Sequence, residues 1–292
     1  MASLHEWIEG ARPRTLPAAV APVVLGTGAA FPLHRANLAL ALLALFVALL
    51  LQVGVNYAND YSDGIRGTDT TRVGPVRLVG QRLASPGSVK LAAMLAFGAA
   101  AVVGLALVAL ANTPVLILFG ALAILAAWRY TGGDNPYGYR GLGEAYVFVF
   151  FGLLATLGTL YTQAHKLSVA GLLGAVGVGC IASAILVANN LRDIFSDRAN
   201  GKRTLAVRLG ERRTRILYVA LLAVALVAVL GIAVRFPWAA LGLLSAPLAV
   251  RGIRPVVTGA RGPALIPVLL ATGLFEVAYA VLTALGLALS AR

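Results

Sequence analysis

The chain has 292 residues, of which 60% are hydrophobic and only 12% charged, with a mean hydropathy of +0.87. A soluble domain carries about 25% charged residues, so this composition excludes one. A formal charge of +13 would suggest nucleic acid in a soluble protein, but here it is read as the charge asymmetry of membrane loops.

A helix needs about 20 apolar residues to span a bilayer, and an apolar window along the chain predicts nine. They lie near Leu16–Leu33, Leu38–Val55, Leu91–Ala111, Pro114–Trp128, Ala145–Thr162, Val169–Ala188, Ile216–Val234, Phe236–Val250 and Ala264–Leu289. Met1–Arg14 carries Glu6, Glu9, Arg12 and Arg14, and no small-residue cleavage site follows, so no cleavable signal peptide is expected. The one cysteine, Cys180, lies in an apolar run, which excludes an internal disulfide. Sorting lysine and arginine by loop puts 20 on one side and 4 on the other. The positive-inside rule then predicts a cytoplasmic N-terminus and, with nine spans, a C-terminus outside. The expected fold is all-α: a polytopic membrane protein with nine transmembrane helices in one bundle, a single domain over residues 1–292.

Only eleven carboxylates are present, and five fall in two short stretches at the cytoplasmic ends of the second and sixth predicted spans. The first stretch, 56–69, holds Asn56, Asn59, Asp60, Asp63 and Asp69; the second, 189–197, holds Asn189, Asp193 and Asp197. Asn56, Asn59, Asp60 and Asp63 stand at i, i+3, i+4 and i+7, one face of a helix. Asn189, Asp193 and Asp197, at i, i+4 and i+8, are again expected on one face. Carboxylates a turn apart repel, and desolvation at a membrane boundary adds to the cost. A hard cation relieves both, and Asp and Asn oxygens with room for water suit Mg²⁺ held together with substrate phosphates. Two facing clusters suit a pair of ions with a diphosphate between them. A solvated, N-capped helix end would explain one cluster; the Asn-to-Asp spacing of four in both, Asn56/Asp60 and Asn189/Asp193, argues for a matched pair. Basic loops follow each cluster, with Arg72 and Arg77 after the first and Lys202 after the second, and they fit the excess charge of a diphosphate.

These residues carry a family resemblance. Asn59-Asp60-x-x-Asp63 and Asp193-x-x-x-Asp197 resemble the two Asp-rich motifs of the UbiA superfamily, intramembrane aromatic prenyltransferases with nine helices and two Mg²⁺-diphosphate motifs. Ala11-Arg-Pro-Arg-Thr-Leu-Pro17, Gly67-x-Asp69, Gly74-Pro-x-Arg77 and Pro136-Tyr-Gly-Tyr-Arg-Gly-Leu-Gly-Glu144 resemble its 1,4-dihydroxy-2-naphthoate polyprenyltransferase branch, which serves menaquinone biosynthesis. Asp69 departs from the wider superfamily, standing six residues after Asp63 where four is common.

The resemblance implies transfer of a polyprenyl group from its diphosphate to a dihydroxynaphthoate ring, with loss of CO₂, in the plasma membrane and with the site toward the cytoplasm. It implies that Asn56, Asn59, Asp60 and Asp63 serve one Mg²⁺ ion, and Asn189, Asp193 and Asp197 the other. Tyr130, Tyr137, Tyr139 and Tyr146 are candidates to offer π-faces to an allylic cation. Arg140 is a candidate to pair with the acceptor carboxylate, and Glu144 to orient that acceptor or act on a phenol. Two other readings stay open: prenylation of 4-hydroxybenzoate or homogentisate, and a lipid-diphosphate carrier or transporter. Transport sites usually lie near the bilayer midplane, whereas both clusters here sit at helix ends, which favours an enzyme. Glu276 is the one acid deep in a span and is expected to make a structural pairing or hydrogen bond there.

Overall fold

The structure, a computed structural model, describes residues 2–67 and 76–291. It is helical, with no strand among the described residues. The first helix, α1 (Leu4–Gly10), starts in a capping box in which Ser3 and Glu6 satisfy each other's backbone N–H groups. Arg12, in the left-handed region at φ 56°, turns the chain through a short 3₁₀ turn at Pro13–Thr15 into α2 (Pro17–Gly28). The two halves of this segment, Leu4–Thr15 and Pro17–Leu33, meet at 49°. Asn37 then caps α3 (Leu38–Ile65) by accepting the Leu40 N–H. Ser85 caps α4 (Pro86–Ala111), whose proline at the first position needs no N–H partner. After α5 (Val115–Arg129) comes a 3₁₀ turn at Tyr137–Arg140.

The remaining helices are α6 (Gly143–Ala164), α7 (Val169–Arg192), α8 (Ile194–Ala199), α9 (Leu205–Ala233), α10 (Pro237–Val257) and α11 (Gly262–Ser290). Residues Phe148–Leu154 of α6 form a π-helical stretch, and Gly210, at φ 74°, breaks α9 near its start.

Each of the nine predicted stretches falls on one of these helices. Seven are long and apolar enough to cross a membrane, and the bent α1–α2 segment makes an eighth candidate. The 15-residue α5 falls short of that length. The chain is therefore an integral membrane protein by its helices. Five helices extend past their predicted ends by a turn or more: α3 runs on to Ile65, α4 begins at Pro86, α7 ends at Arg192, α9 begins at Leu205 and α10 runs on to Val257. Hydropathy stops at the first polar residues; in α3 and α7 the polar turns beyond that point are largely buried and stay helical, whereas the start of α9 keeps Arg208, Arg212 and Arg213 exposed.

The central helix is α7. Its glycines let partners approach on several sides: Gly174 meets Leu25 of α2, Gly177 meets the Tyr279 hydroxyl of α11, and Gly179 meets Phe148 and Gly152 of α6. Small residues at helix crossings are how membrane bundles gain van der Waals contact where lipid supplies no hydrophobic drive. The buried cluster around Ile181, Leu222, Phe275 and Tyr279 joins α7, α9 and α11 into one wall. A second cluster, with Tyr57, Leu78 and Phe97, holds α3 and α4 together.

Candidate active site

Between the two walls lies a cavity of about 1430 Å³. Along α3 it is lined by Ala44, Val47, Leu51, Val55, Asn59 and Asp63, spaced by three or four so that they share one face. At 1.5 Å per residue this stripe is about 28 Å long, and it grades from wholly apolar to acidic. Parts of α2, α4, α5, α6 and α7 complete the walls.

The polar end is built around Asp63, which is buried. Its Oδ1 accepts from the Tyr139 hydroxyl and lies 3.4 Å from the Lys202 ammonium. The Tyr139 ring meets two cations, Lys202 at 4.5 Å and Arg66 at 5.5 Å from its centroid. Arg66 also donates to the carbonyls of Thr131 and Gly133, pinning the loop after α5 to the end of α3. Backbone bonds bring in the second acidic stretch: Lys202 N–H donates to the Asp197 carbonyl at 2.8 Å, and Arg203 N–H to the Tyr139 carbonyl at 2.9 Å. Asp197 is buried, lines the cavity, and accepts from the Thr204 hydroxyl at 3.5 Å. Two acids 134 positions apart in the chain thus face one chamber through Lys202 and Tyr139.

The acids do not all point the same way. Both oxygens of Asp60 are taken by backbone N–H groups, Leu78 at 2.7 Å and Val79 at 3.2 Å, and the residue lies outside the cavity lining. The loop can come this close because Gly64 has no Cβ to meet Val79. The expectation of one shared face for Asn56, Asn59, Asp60 and Asp63 is corrected accordingly: Asn56, Asn59 and Asp63 line the cavity, and Asp60 flanks it. The second expected face is corrected too. The helix breaks between Arg192 and Ile194, and Asp193 at that break is gripped by the Arg192 guanidinium through two 2.7 Å bonds. Asn189 and Asp197 line the cavity and Asp193 does not.

Among the amides, Asn59 accepts from the Thr131 hydroxyl at 2.7 Å. Asn56 donates to the Ala11 carbonyl and the Thr15 hydroxyl, tying α3 to the turn before α2. The Asn189 side chain has no hydrogen-bond partner among the described residues and is open to the cavity. Tyr130, Tyr137 and Tyr146 form a stack on the cavity wall: Tyr137 and Tyr146 have centroids 3.8 Å apart, and Tyr130 meets Tyr137 edge-on at 5.5 Å. Burial, with Tyr130 and Tyr146 beside it, pushes the Tyr137 phenol above its ordinary pKa, and its hydroxyl donates to the Ala126 carbonyl at 2.9 Å. Arg77 and Lys202 line the chamber and are buried. Glu144 is buried just behind it and accepts from Asn190 at 2.9 Å. Arg140 is exposed and outside the lining, so the geometry does not bring it to the site. Arg72 and Asp69 lie outside the described residues. Glu276 is fully buried, and neither carboxyl oxygen has a hydrogen-bond partner among the described residues, against the pairing expected for it.

Sequence reasoning passed over Arg12, Gln52, Thr131 and Asn190. Arg12 lies on the cavity wall within electrostatic reach of Asp60. Gln52, one turn before Asn56, donates to it at 3.3 Å. The signals were present: Gln52 continues the polar face of α3, and Asn190 adjoins Asn189. Among the described residues no three His, Cys, Asp or Glu side chains gather as a closed metal site. Two cavity-facing carboxylates with Asn oxygens suit Mg²⁺ all the same, because that ion usually takes one or two carboxylates and fills its octahedron with water and phosphate.

Comparison with known proteins bears on this arrangement. The UbiA prenyltransferase family model matches residues 15–258. The chain belongs to this family. Among its relatives, the 1,4-dihydroxy-2-naphthoate octaprenyltransferase of Mycobacterium tuberculosis is 57% identical over 288 residues, covering 99% of this chain and 98% of the relative. The protein of the same name from Escherichia coli is 43% identical, covering 86% of this chain and 84% of the relative. A solved UbiA homologue from Archaeoglobus fulgidus, bound to GPP and Mg²⁺, superposes with a TM-score of 0.64 at 15% identity, over 95% of this chain and 99% of that one. At that identity the likeness is one of fold, and it extends along nearly the whole chain.

Proposed function

We propose that this chain, as a single domain over 1–292, transfers a polyprenyl group from polyprenyl diphosphate to 1,4-dihydroxy-2-naphthoate with loss of CO₂. The product is demethylmenaquinol, on the route to menaquinone. One observation carries the reading: a long apolar cavity ends in a chamber of acids, amides and buried cations. That chamber fits a diphosphate with its counter-ions, and the apolar length fits the polyprenyl tail.

Asp63 and Asp197, with Asn59 and Asn189, are the residues that would hold Mg²⁺, as two ions, together with the diphosphate. When bound, Mg²⁺ neutralises the diphosphate and makes it a better leaving group. Lys202 and Arg77 meet the remaining negative charge. Asp60 and Asp193 support the site from behind, the first by holding the 78–79 turn against α3, the second by fixing Arg192. Tyr139 keeps Asp63 and Lys202 in register. The allylic C–O bond breaks with its electron pair leaving on the diphosphate. Tyr130, Tyr137 and Tyr146 offer π-density to the cation so formed. The electron-rich ring attacks through the carbon bearing the carboxylate, forming the C–C bond. CO₂ then departs and its bonding electrons restore the aromatic ring.

The same reading counts α5 as a ninth span and places the N-terminus and the chamber on the cytoplasmic side, supported by the 20-to-4 sorting of basic residues. An assay in detergent with polyprenyl diphosphate, either acceptor, and Mg²⁺ or EDTA tests the proposal. A decarboxylated prenyl-naphthoquinol that vanishes under EDTA is the expected product. Product from 4-hydroxybenzoate alone would overturn the acceptor, and none from either would bring the carrier reading forward.

A further inference from the structure

A second concavity, of about 1000 Å³, lies on the outside of the bundle at the end that carries the acidic motifs, between α8, the start of α9 and the end of α10. Its floor is apolar and open: Phe195, Ile216 and Val257 are each 59–60% exposed. Its rim is basic, with Arg198, Arg212, Arg215 and Arg261 against a single acid, Glu211. Glu211 is already matched, 3.0 Å from Arg261 and 3.4 Å from Arg215. Arg215 is further occupied by the carbonyls of Val256 and Ala260. The guanidinium groups of Arg198 and Arg212 have no hydrogen bond or ion pair among the described residues, and both residues are exposed.

The positive-inside rule accounts for arginine at this end of the helices. It does not account for two unmatched guanidinium groups on the rim of one apolar groove. A groove of that kind at a membrane boundary matches the two ends of an anionic phospholipid: acyl chain along Phe195, Ile216 and Val257, phosphate between Arg198 and Arg212. We propose that this groove is a binding site for an anionic glycerophospholipid, separate from the catalytic chamber. The two sites share α8, which contributes Asp197 to the chamber and Phe195 and Arg198 to the groove. A lipid seated there braces the helix that presents Asp197.

Native mass spectrometry of the full chain, released from detergent with phosphatidylglycerol or phosphatidylcholine, tests the site. Each arginine beside an anionic headgroup is worth about fivefold in affinity. Phosphatidylglycerol is therefore expected to be retained about 25-fold more tightly than phosphatidylcholine, and Arg198→Gln/Arg212→Gln is expected to erase the difference. Equal retention of the two lipids, or an undiminished preference in the double variant, would overturn the proposal. So would displacement of the lipid by millimolar inorganic phosphate, which would mark a free-anion site. Should the double variant fail to fold, Arg212→Gln alone, away from α8, carries the test with a loss of about fivefold.

Discussion

Asp60 and Asp63 stand one turn apart on α3, yet their surroundings give them different work. Asp60 spends both oxygens on the Leu78 and Val79 N–H groups, whereas Asp63 faces the chamber beside Tyr139 and Lys202. Asp63→Ala is expected to slow product formation by about 10²- to 10³-fold, the scale for losing one preorganised charged group, with little change in melting temperature. Asp60→Ala is expected to cost about 2–4 kcal/mol of stability by freeing two buried N–H groups from a charged acceptor. Turnover and thermal melts of the two variants, side by side, check the division. A Asp63→Ala enzyme keeping more than about a tenth of its activity, a loss under ~1.4 kcal/mol, would refute it. Glu276 poses the opposite case. Both its oxygens are buried without a hydrogen-bond partner among the described residues, so Glu276→Met is expected to stabilise the bundle by about 1–3 kcal/mol. A lower melting temperature for that variant would show a partner the geometry does not contain. The sequence located both acidic stretches but not which acids turn inward, because that depends on where residues 78–79 return to α3 and on the break at Asp193.

At the scale of elements, the helices were legible because apolar length is a local property of sequence. Their polar ends were not: α3 and α7 continue through polar residues that are largely buried, and α9 begins well before its apolar run in a segment with exposed arginines. The π-helical stretch of α6 left no periodic mark either. It lies where α6 crosses α7 so closely that a Cβ on Gly152 would stand 2.4 Å from the Gly179 Cα. Backbone against backbone leaves nothing to move aside. Gly152→Val is therefore expected to destabilise by about 1–3 kcal/mol through overpacking. Because Phe150 and Phe151 of the same stretch line the cavity, KM for the prenyl donor is expected to rise with it. A melt unchanged from the parent, measured in the same detergent, would rule out so tight a crossing.

At the scale of the whole molecule, the side of the membrane was read from charge alone. In a Cys180→Ala background, Arg35→Cys is expected to react with an impermeant thiol reagent only from outside intact cells. Arg213→Cys is expected to react only after permeabilisation, and labelling in the reverse sense would invert the topology. The graded stripe on α3, alanine and valine at one end and asparagine and aspartate at the other, has a consequence for tail length. With the prenyl donor seated as proposed, the bundle acts as a micelle for one molecule, with its headgroup shell made of side chains fixed in place. A longer tail is taken up at the far, oily end, so the reacting carbon keeps the same depth whatever number of isoprene units trails behind it.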